Sequence, residues 1–186
     1  MLEKDVKDIL FDEPALARRV AELGRRIEED YRGRELLVIG VLKGANVFLG
    51  DLIRQIGLDL EVDFIAASSY GNATESSGVV RILKDLDYPI EGRHVLLIED
   101  LIDTGLTLQY LAENFRSRGP ASLKICTLLD KPERRKVDIT VDYKGFDIPD
   151  EFIVGYGIDY SQKYRNLPYI ATLKPSVYSQ GAGEAR

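Results

Sequence analysis

Glu99, Asp100 and Asp103 sit close together in the chain, and the turn Thr104-Gly105-Leu106-Thr107 follows them at once. The apolar run Val95–Ile98 before the acids reads as a buried parallel strand. Carboxylates at the carboxyl end of such a strand stand where open α/β sheets bind their ligands. Past the turn, the pattern from Leu106 to Phe115 is helical, and backbone N–H groups at a helix start form an anion site. One short segment therefore offers acceptors for hydroxyl groups and donors for a phosphate, which suits a phosphorylated sugar. An acid after an apolar strand also occurs in magnesium-binding nucleotide hydrolases, but those need a Gly-x-x-x-x-Gly-Lys-Ser/Thr loop. This sequence has no such loop. A plain strand end with solvated acids accounts for the carboxylates and leaves the turn unexplained.

The elements that must hold these residues alternate. Asp12-Glu13-Pro14 opens a helix with a capping acid and an early proline, and Leu16, Val20, Leu23 and Ile27 recur at helical spacing. Leu36–Leu42 reads as a buried strand ended by Lys43-Gly44, and Ala45–Ile56 as a helix. Strands are expected at Leu60–Ser69, Val80–Asp85, His94–Asp100 and Ser122–Asp130, with a polar loop from Tyr70 to Val79. The helix from Leu106 to about Arg118 closes at Gly119-Pro120. This alternation predicts an α/β fold: a central, mainly parallel sheet covered by helices on both faces. After residue 130 the pattern changes. Lys131–Lys136 is charged, Val137–Tyr143 alternates, and Phe152–Tyr156 and Tyr169–Leu173 are short apolar runs, as for short strands in a lobe beside the sheet. From Ser176 the chain is small and polar and is expected to fray.

Composition narrows the partners. The chain has 186 residues, 45% hydrophobic and 30% charged, in the range of one ordinary globular domain. A net charge of -6 argues against non-specific nucleic-acid binding, which needs a basic surface, though not against a local basic pocket. Cys126 is the only cysteine, so no internal disulfide forms and a reducing compartment is expected; its apolar surroundings mark it as a buried small hydrophobe. No apolar run approaches the roughly 18 residues of a membrane span, and the N-terminal stretch alternates in charge. A cytoplasmic protein without membrane contact is the expectation.

The segment Val95–Thr107 resembles the phosphoribosyl pyrophosphate motif of type I phosphoribosyltransferases, in its hypoxanthine–guanine form. The resemblance implies that Glu99 and Asp100 hold the ribose hydroxyls and help place Mg2+. It implies that Asp103, Thr104, Gly105, Leu106 and Thr107 bind the 5′-phosphate. Lys43 and Gly44 match the centre of a pyrophosphate loop, where the family often has a cis peptide between non-proline residues; we place it between Leu42 and Lys43. Ser69 and Tyr70, with Ser68, match the base of a loop that folds over the site as a lid during turnover.

The stretch from Ile148 to Tyr160 resembles the hood lobe of bacterial hypoxanthine phosphoribosyltransferases. By that match Phe152 stacks on the purine, Lys131 binds its exocyclic oxygen, and Ile153 and the Asp159 carbonyl read its edge. Asp159 also helps place magnesium, Arg165 reaches the pyrophosphate, and Asp103 is the general base. The resemblance implies one phosphoribosyltransferase domain, with a core of about 13–130, a hood of about 1–12 plus 131–175, and a tail 176–186. Its substrates would be a 6-oxopurine and phosphoribosyl pyrophosphate, and the enzyme a homodimer or homotetramer, to which Tyr-rich segments such as Tyr156–Tyr169 could contribute an interface. A regulatory RNA-binding protein on the same fold is disfavoured by the net charge and the purine-type hood.

Overall fold

A computed structural model describes residues 2–70 and 79–179. Within these, strand β1 (Val6–Phe11) leads to helix α1 (Glu13–Tyr31), strand β2 (Leu36–Leu42) and helix α2 (Ala45–Ile53). Strands β3 (Leu60–Tyr70), β4 (Val79–Lys84) and β5 (His94–Ile102) follow, then helix α3 (Leu106–Ser117) and strand β6 (Ser122–Asp130). The C-terminal part holds strands β7 (Tyr143–Asp147), β8 (Ile153–Val154) and β9 (Ile170–Leu173) and the short helix α4 (Pro175–Ser179).

The six-stranded sheet has the order β4-β3-β2-β5-β6-β7, parallel except for β4, which runs antiparallel at one edge. From β2 the chain first adds β3 on one side and later β5 on the other. The carboxyl ends of β2 and β5 therefore flank the point where strand order reverses, the place where doubly wound sheets leave a crevice. Helices α1 and α2 pack on one face through Leu16, Val20, Leu23, Phe48 and Leu52, against Val38, Ile98 and Leu128. Helix α3 covers the other face through Leu108, Leu111 and Phe115, against Ile39, Leu97 and Ile125. Asp12 caps α1 by accepting from the Ala15 N–H at 2.9 Å, as its position before the first turn requires.

The expected elements recur, with α2 ending at Ile53 rather than Ile56 and with larger differences in the strands. Strand β5 runs two residues past Asp100, because Leu101 and Ile102 still pair with Leu129 and Asp130 of β6. The alternating run Val137–Tyr143 is not a strand; the strand starts at Tyr143 and extends the large sheet beside β6 rather than joining a separate lobe. The chain start, read without a strand, supplies β1, which pairs with β9 in a three-stranded sheet of order β1-β9-β8. Register shifts along β1 blur its alternation, which is why the sequence pattern missed it. Cys126 is buried among apolar side chains of β6, as expected.

Phe115 is fully buried at the centre of the α3 face. Its replacement by alanine should cost about 3–5 kcal/mol in denaturant unfolding. In a chain of this size that lowers Tm by roughly 6–20 °C.

Candidate active site

A cleft of about 410 Å3 opens over the carboxyl ends of β2 and β5. It gathers Lys43 and Gly44 from the end of β2, Glu99 and Asp100 from β5, and Asp103, Thr104, Gly105 and Thr107 from the turn. Ile158, Asp159 and Arg165 close it from the C-terminal part. Ten residues separately expected to bind the sugar, phosphates or metal thus share one cavity. Leu106, Lys131, Phe152 and Ile153 lie off its wall. Ser69 and Tyr70 end the backbone of β3, paired with Val80 and Val79; their side chains and the loop 71–78 lie outside the described residues.

The peptide between Leu42 and Lys43 is cis. Beyond it, Gly44 leaves no room for a side chain: a Cβ there would lie 1.8 Å from Asp100 Oδ2. A Cβ on Gly157 would lie 2.2 Å from the Gly44 carbonyl oxygen. Three segments therefore meet at van der Waals distance, and the Asp100 carboxylate rests directly against the Lys43-Gly44 backbone.

Glu99 and Asp100 both line the cleft because strict alternation breaks between them. Leu97 and Ile102 pack on the α3 side, whereas Ile98 and Leu101 pack on the opposite side. Both acids are only partly exposed. Desolvation, reinforced by the neighbouring Asp100 charge, holds Glu99 well above the usual carboxylate range. Desolvation also raises Asp100, against the pull of Arg165. Burial disfavours ionisation of both, so the pair is suited to hydroxyl donors or a cation that would relieve that penalty.

The turn after β5 is fixed from below. Gly105 has φ +82°, and a Cβ there would meet Val137 at 2.9 Å and Arg135 at 3.0 Å. Arg135 is itself held by the buried carboxylate of Asp130. The Lys136 N–H donates to the Thr104 carbonyl at 3.0 Å. Within α3 the first N–H bonded to a backbone carbonyl in the helix pattern is that of Gln109, which donates to Gly105. Of the N–H groups before it, that of Leu106 makes only a long 3.5 Å contact with Thr104 Oγ1, and the turn lines the cleft, as an anion site needs.

Asp103 stands at the rim in an ion pair that the sequence did not suggest. Arg134 Nε donates to Asp103 Oδ1 at 2.9 Å, and its Nη1 reaches Asp150 Oδ2 at 3.5 Å. Asp150 in turn lies 3.7 Å from Lys131 Nζ, which donates to the Glu151 carbonyl at 2.8 Å. These contacts join the acid turn to the segment that carries Phe152, whose ring is 54% exposed. Arg134 was hidden in a charged run that reads as solvated surface.

Arg165 donates from Nη1 to the Gly157 carbonyl at 2.8 Å and pairs through Nη2 with Asp159 at 2.7 Å. Gln162 is the second residue missed. Its Oε1 accepts from both Lys43 Nζ and Arg165 Nη2, each at 3.3 Å, and so draws two cations together at the cleft. Tyr156, Ser161, Gln162 and Tyr164 have φ between 49° and 74°, a left-handed conformation rare for non-glycine residues. Such clusters occur where a loop is held for a purpose. Asp159 is occupied by Arg165 and by the Gln162 N–H, and no group of three potential metal ligands assembles among the described residues. The expected trio Glu99, Asp100 and Asp159 is therefore not a preformed cage. Two tyrosines of the segment expected to contribute to an interface have partners within the chain: Tyr156 donates to Asp51 at 2.6 Å and Tyr164 to Asp5 at 2.9 Å. Cys126 is no nucleophile, since full burial pushes its thiol up.

Comparison with known proteins agrees with this geometry. Residues 6–161 match the family described as the phosphoribosyl transferase domain. The chain is 54% identical over 178 residues to the hypoxanthine-guanine phosphoribosyltransferase of Bacillus subtilis, covering 96% of this chain and 99% of that one. The chain belongs to the hypoxanthine-guanine phosphoribosyltransferase family. It is an enzyme of that family. The phosphoribosyltransferase of the same name from Mycobacterium avium is 52% identical over 182 residues, covering 95% of this chain and 90% of that one. A crystal structure of a hypoxanthine phosphoribosyltransferase from Staphylococcus aureus superposes with a TM-score of 0.93 at 50% identity, covering 95% of this chain and 96% of that one.

The acid pair of this phosphoribosyltransferase should destabilise the ligand-free fold. The folded pKa of Glu99 lies above its unfolded value. No penalty exists below the unfolded pKa; it grows as pH rises towards the folded pKa and is complete above it. Glu99→Gln removes it. In chelator, the variant should melt a few degrees higher than the parent at pH 8, a gain of about 0.5–2 kcal/mol. The difference should vanish near pH 4, as followed by thermal unfolding.

Proposed function

We propose that the enzyme transfers the 5-phosphoribosyl group of phosphoribosyl pyrophosphate to N9 of hypoxanthine or guanine, releasing pyrophosphate and serving purine salvage. The observation that carries this reading is the single cleft. It joins an anion-binding helix start, a pair of acids and two cations, with Asp103 at the rim towards Lys131 and Phe152. The N–H groups of the turn from Gly105 to Thr107 hold the 5′-phosphate, that of Leu106 giving up its long contact with Thr104 Oγ1. Glu99 and Asp100 accept from the ribose hydroxyls. Lys43 and Arg165 face the departing pyrophosphate, and the positive field that they supply is worth most in a site that excludes water. Ser69 and Tyr70 belong to the base of a covering loop on the strength of the family resemblance.

Asp103 takes the proton that the purine loses as its nitrogen attacks. Arg134 Nε donates to Asp103 Oδ1 and so holds that side chain at the rim of the cleft. Both partners are nearly half exposed, so releasing Arg134 costs only about 0.2–1 kcal/mol. Phe152 offers its open ring to the base, Lys131 its ammonium to the exocyclic oxygen, and Ile153 and Asp159 read the purine edge. Holding base and sugar in line supplies much of the remaining acceleration.

The residues fit magnesium. Desolvation raises the pKa of both adjacent carboxylates and the Asp100 charge raises Glu99 further, and a divalent cation relieves that penalty. Magnesium binds through one or two carboxylates plus substrate phosphates rather than in an all-protein cage, which agrees with the absence of a preformed trio. Glu99 and Asp100 would hold it, with Asp159 available once Arg165 turns to pyrophosphate. When bound, the ion neutralises charge on the leaving group. A homodimer or homotetramer in the cytoplasm, with small-molecule substrates and neither nucleic acid nor membrane as partner, completes the proposal. Support comes from the single buried cysteine, the net charge of -6, and the lack among the described residues of a helix long and apolar enough to cross a membrane.

Steady-state kinetics with hypoxanthine, guanine and xanthine at saturating phosphoribosyl pyrophosphate and magnesium test the reaction. Turnover of hypoxanthine or guanine is expected, and activity with none of the three rejects it. Asp103→Asn should lower kcat by about 10²–10⁴-fold with little change in binding; an unchanged kcat removes Asp103 from the proton transfer. Phe152→Ala should raise KM for the base and leave kcat nearly intact, because stacking acts on ground and transition states alike.

A further inference from the structure

Phe152 does not stand alone. The ring of Tyr178, on α4, lies 4.4 Å from it, centroid to centroid, at an interplanar angle of 31°. Tyr160 meets Phe152 edge-on at 6.1 Å and 79°. Residues 176–179, the described part of the tail expected to fray from Ser176, belong to α4, with the Val177 N–H bonded to the Lys174 carbonyl at 2.9 Å; residues 180–186 lie outside the described residues. Tyr178 packs with Val154 and Leu173, whereas Ile153 and the cleft residue Ile158 pack in the cluster on the other side of the small sheet. Tyr178 therefore covers one face of Phe152 from the side of the small sheet where Val154 and Leu173 pack, and Phe152 still keeps 54% of its surface open.

We propose that Tyr178 is a positioning residue for purine binding: its ring backs Phe152 and holds the stacking face towards the base. Tyr178 lies over a face of Phe152, and Tyr160 meets it in a T-shaped contact. A ring braced in this way is already oriented when the base arrives, and preorganised groups lose less freedom on binding. Without the backing, Phe152 is a mostly exposed ring free to change rotamer. Specificity for the base would then depend on a short C-terminal helix that touches neither sugar nor phosphate. The inference rests on the stacking role assigned to Phe152 above.

The test is kinetic, on the full-length enzyme. Tyr178→Ala should raise KM for hypoxanthine about three- to ten-fold, the usual worth of one aromatic pair. KM for phosphoribosyl pyrophosphate and kcat should stay within about two-fold, since Tyr178 meets neither the sugar site nor the proton acceptor. Tyr178→Phe keeps the ring and should restore the parent KM. In a Phe152→Ala background, Tyr178→Ala should add nothing further. An unchanged KM for the base in Tyr178→Ala overturns the proposal. So does a lowered KM, which would put the ring in the base's own place. A parallel loss in kcat and both KM values would show a general structural role and equally overturn it. If Phe152→Ala itself leaves KM unchanged, the stacking assignment fails first, and the two failures are told apart.

Discussion

Everything at this site depends on the close approach of three backbones at Gly44. A methyl group there would overlap the Asp100 carboxylate at 1.8 Å, and one on Gly157 would overlap the Gly44 carbonyl at 2.2 Å. The end of β2, the acid pair of β5 and the loop that carries Asp159 and Arg165 are thereby fixed relative to one another without an intervening side chain. Interiors packed to this density transmit displacements instead of absorbing them. The spacing of the Glu99–Asp100 pair from Lys43 and Arg165 is set by this contact, and the sheet's switch point supplies the crevice in which it can form.

The acid pair shows why the contact must be rigid. Two neighbouring, partly desolvated carboxylates repel each other and disfavour their own ionised forms. Surrounding structure has to over-determine their placement, and the flanking apolar positions do so. Leu97 and Ile102 anchor the strand on the α3 face, and Ile98 and Leu101 on the other. The broken alternation turns consecutive residues of one strand towards the same cleft. A local rule of strand geometry is violated where function needs it, and the cores on both faces make that violation tolerable.

Residues close in sequence were legible from the sequence; residues brought together only by tertiary structure were not. Val95–Thr107 announced itself because a parallel strand, its terminal acids and a helix start are contiguous, so periodicity and turn chemistry point the same way. Lys43-Gly44 carried no such signal, and only family resemblance singled them out; the reason for the glycine is Asp100, far away in the chain. Arg134 and Gln162 escaped notice because their partners, Asp103 on one side and Lys43 with Arg165 on the other, are distant in sequence. The β7 edge was misplaced for a related reason. Alternation in Val137–Tyr143 is local, whereas the strand that forms is decided by pairing with β6. The packed tail was missed because Tyr178 finds its contacts on β8, not along its own helix.

The charges around the cleft follow a common arrangement. Arg165 is matched by Asp159, Arg134 by Asp103 and Asp150, and Lys131 by Asp150 and a backbone carbonyl. A chain of net charge -6 that must bind a polyanion cannot rely on a broad positive field. It needs cations already at the site, and cations at a partly enclosed site need partners while they wait. The carboxylates that serve as those partners are the ones assigned to purine edge, metal and proton transfer. On the proposed roles, binding is an exchange of partners: as pyrophosphate oxygens take Arg165, Asp159 is released for its own task. The more exposed Arg134–Asp103 pair is weak enough to open at little cost when the base arrives. Coupling of this kind would tie release of the carboxylates to arrival of substrate through side-chain movements.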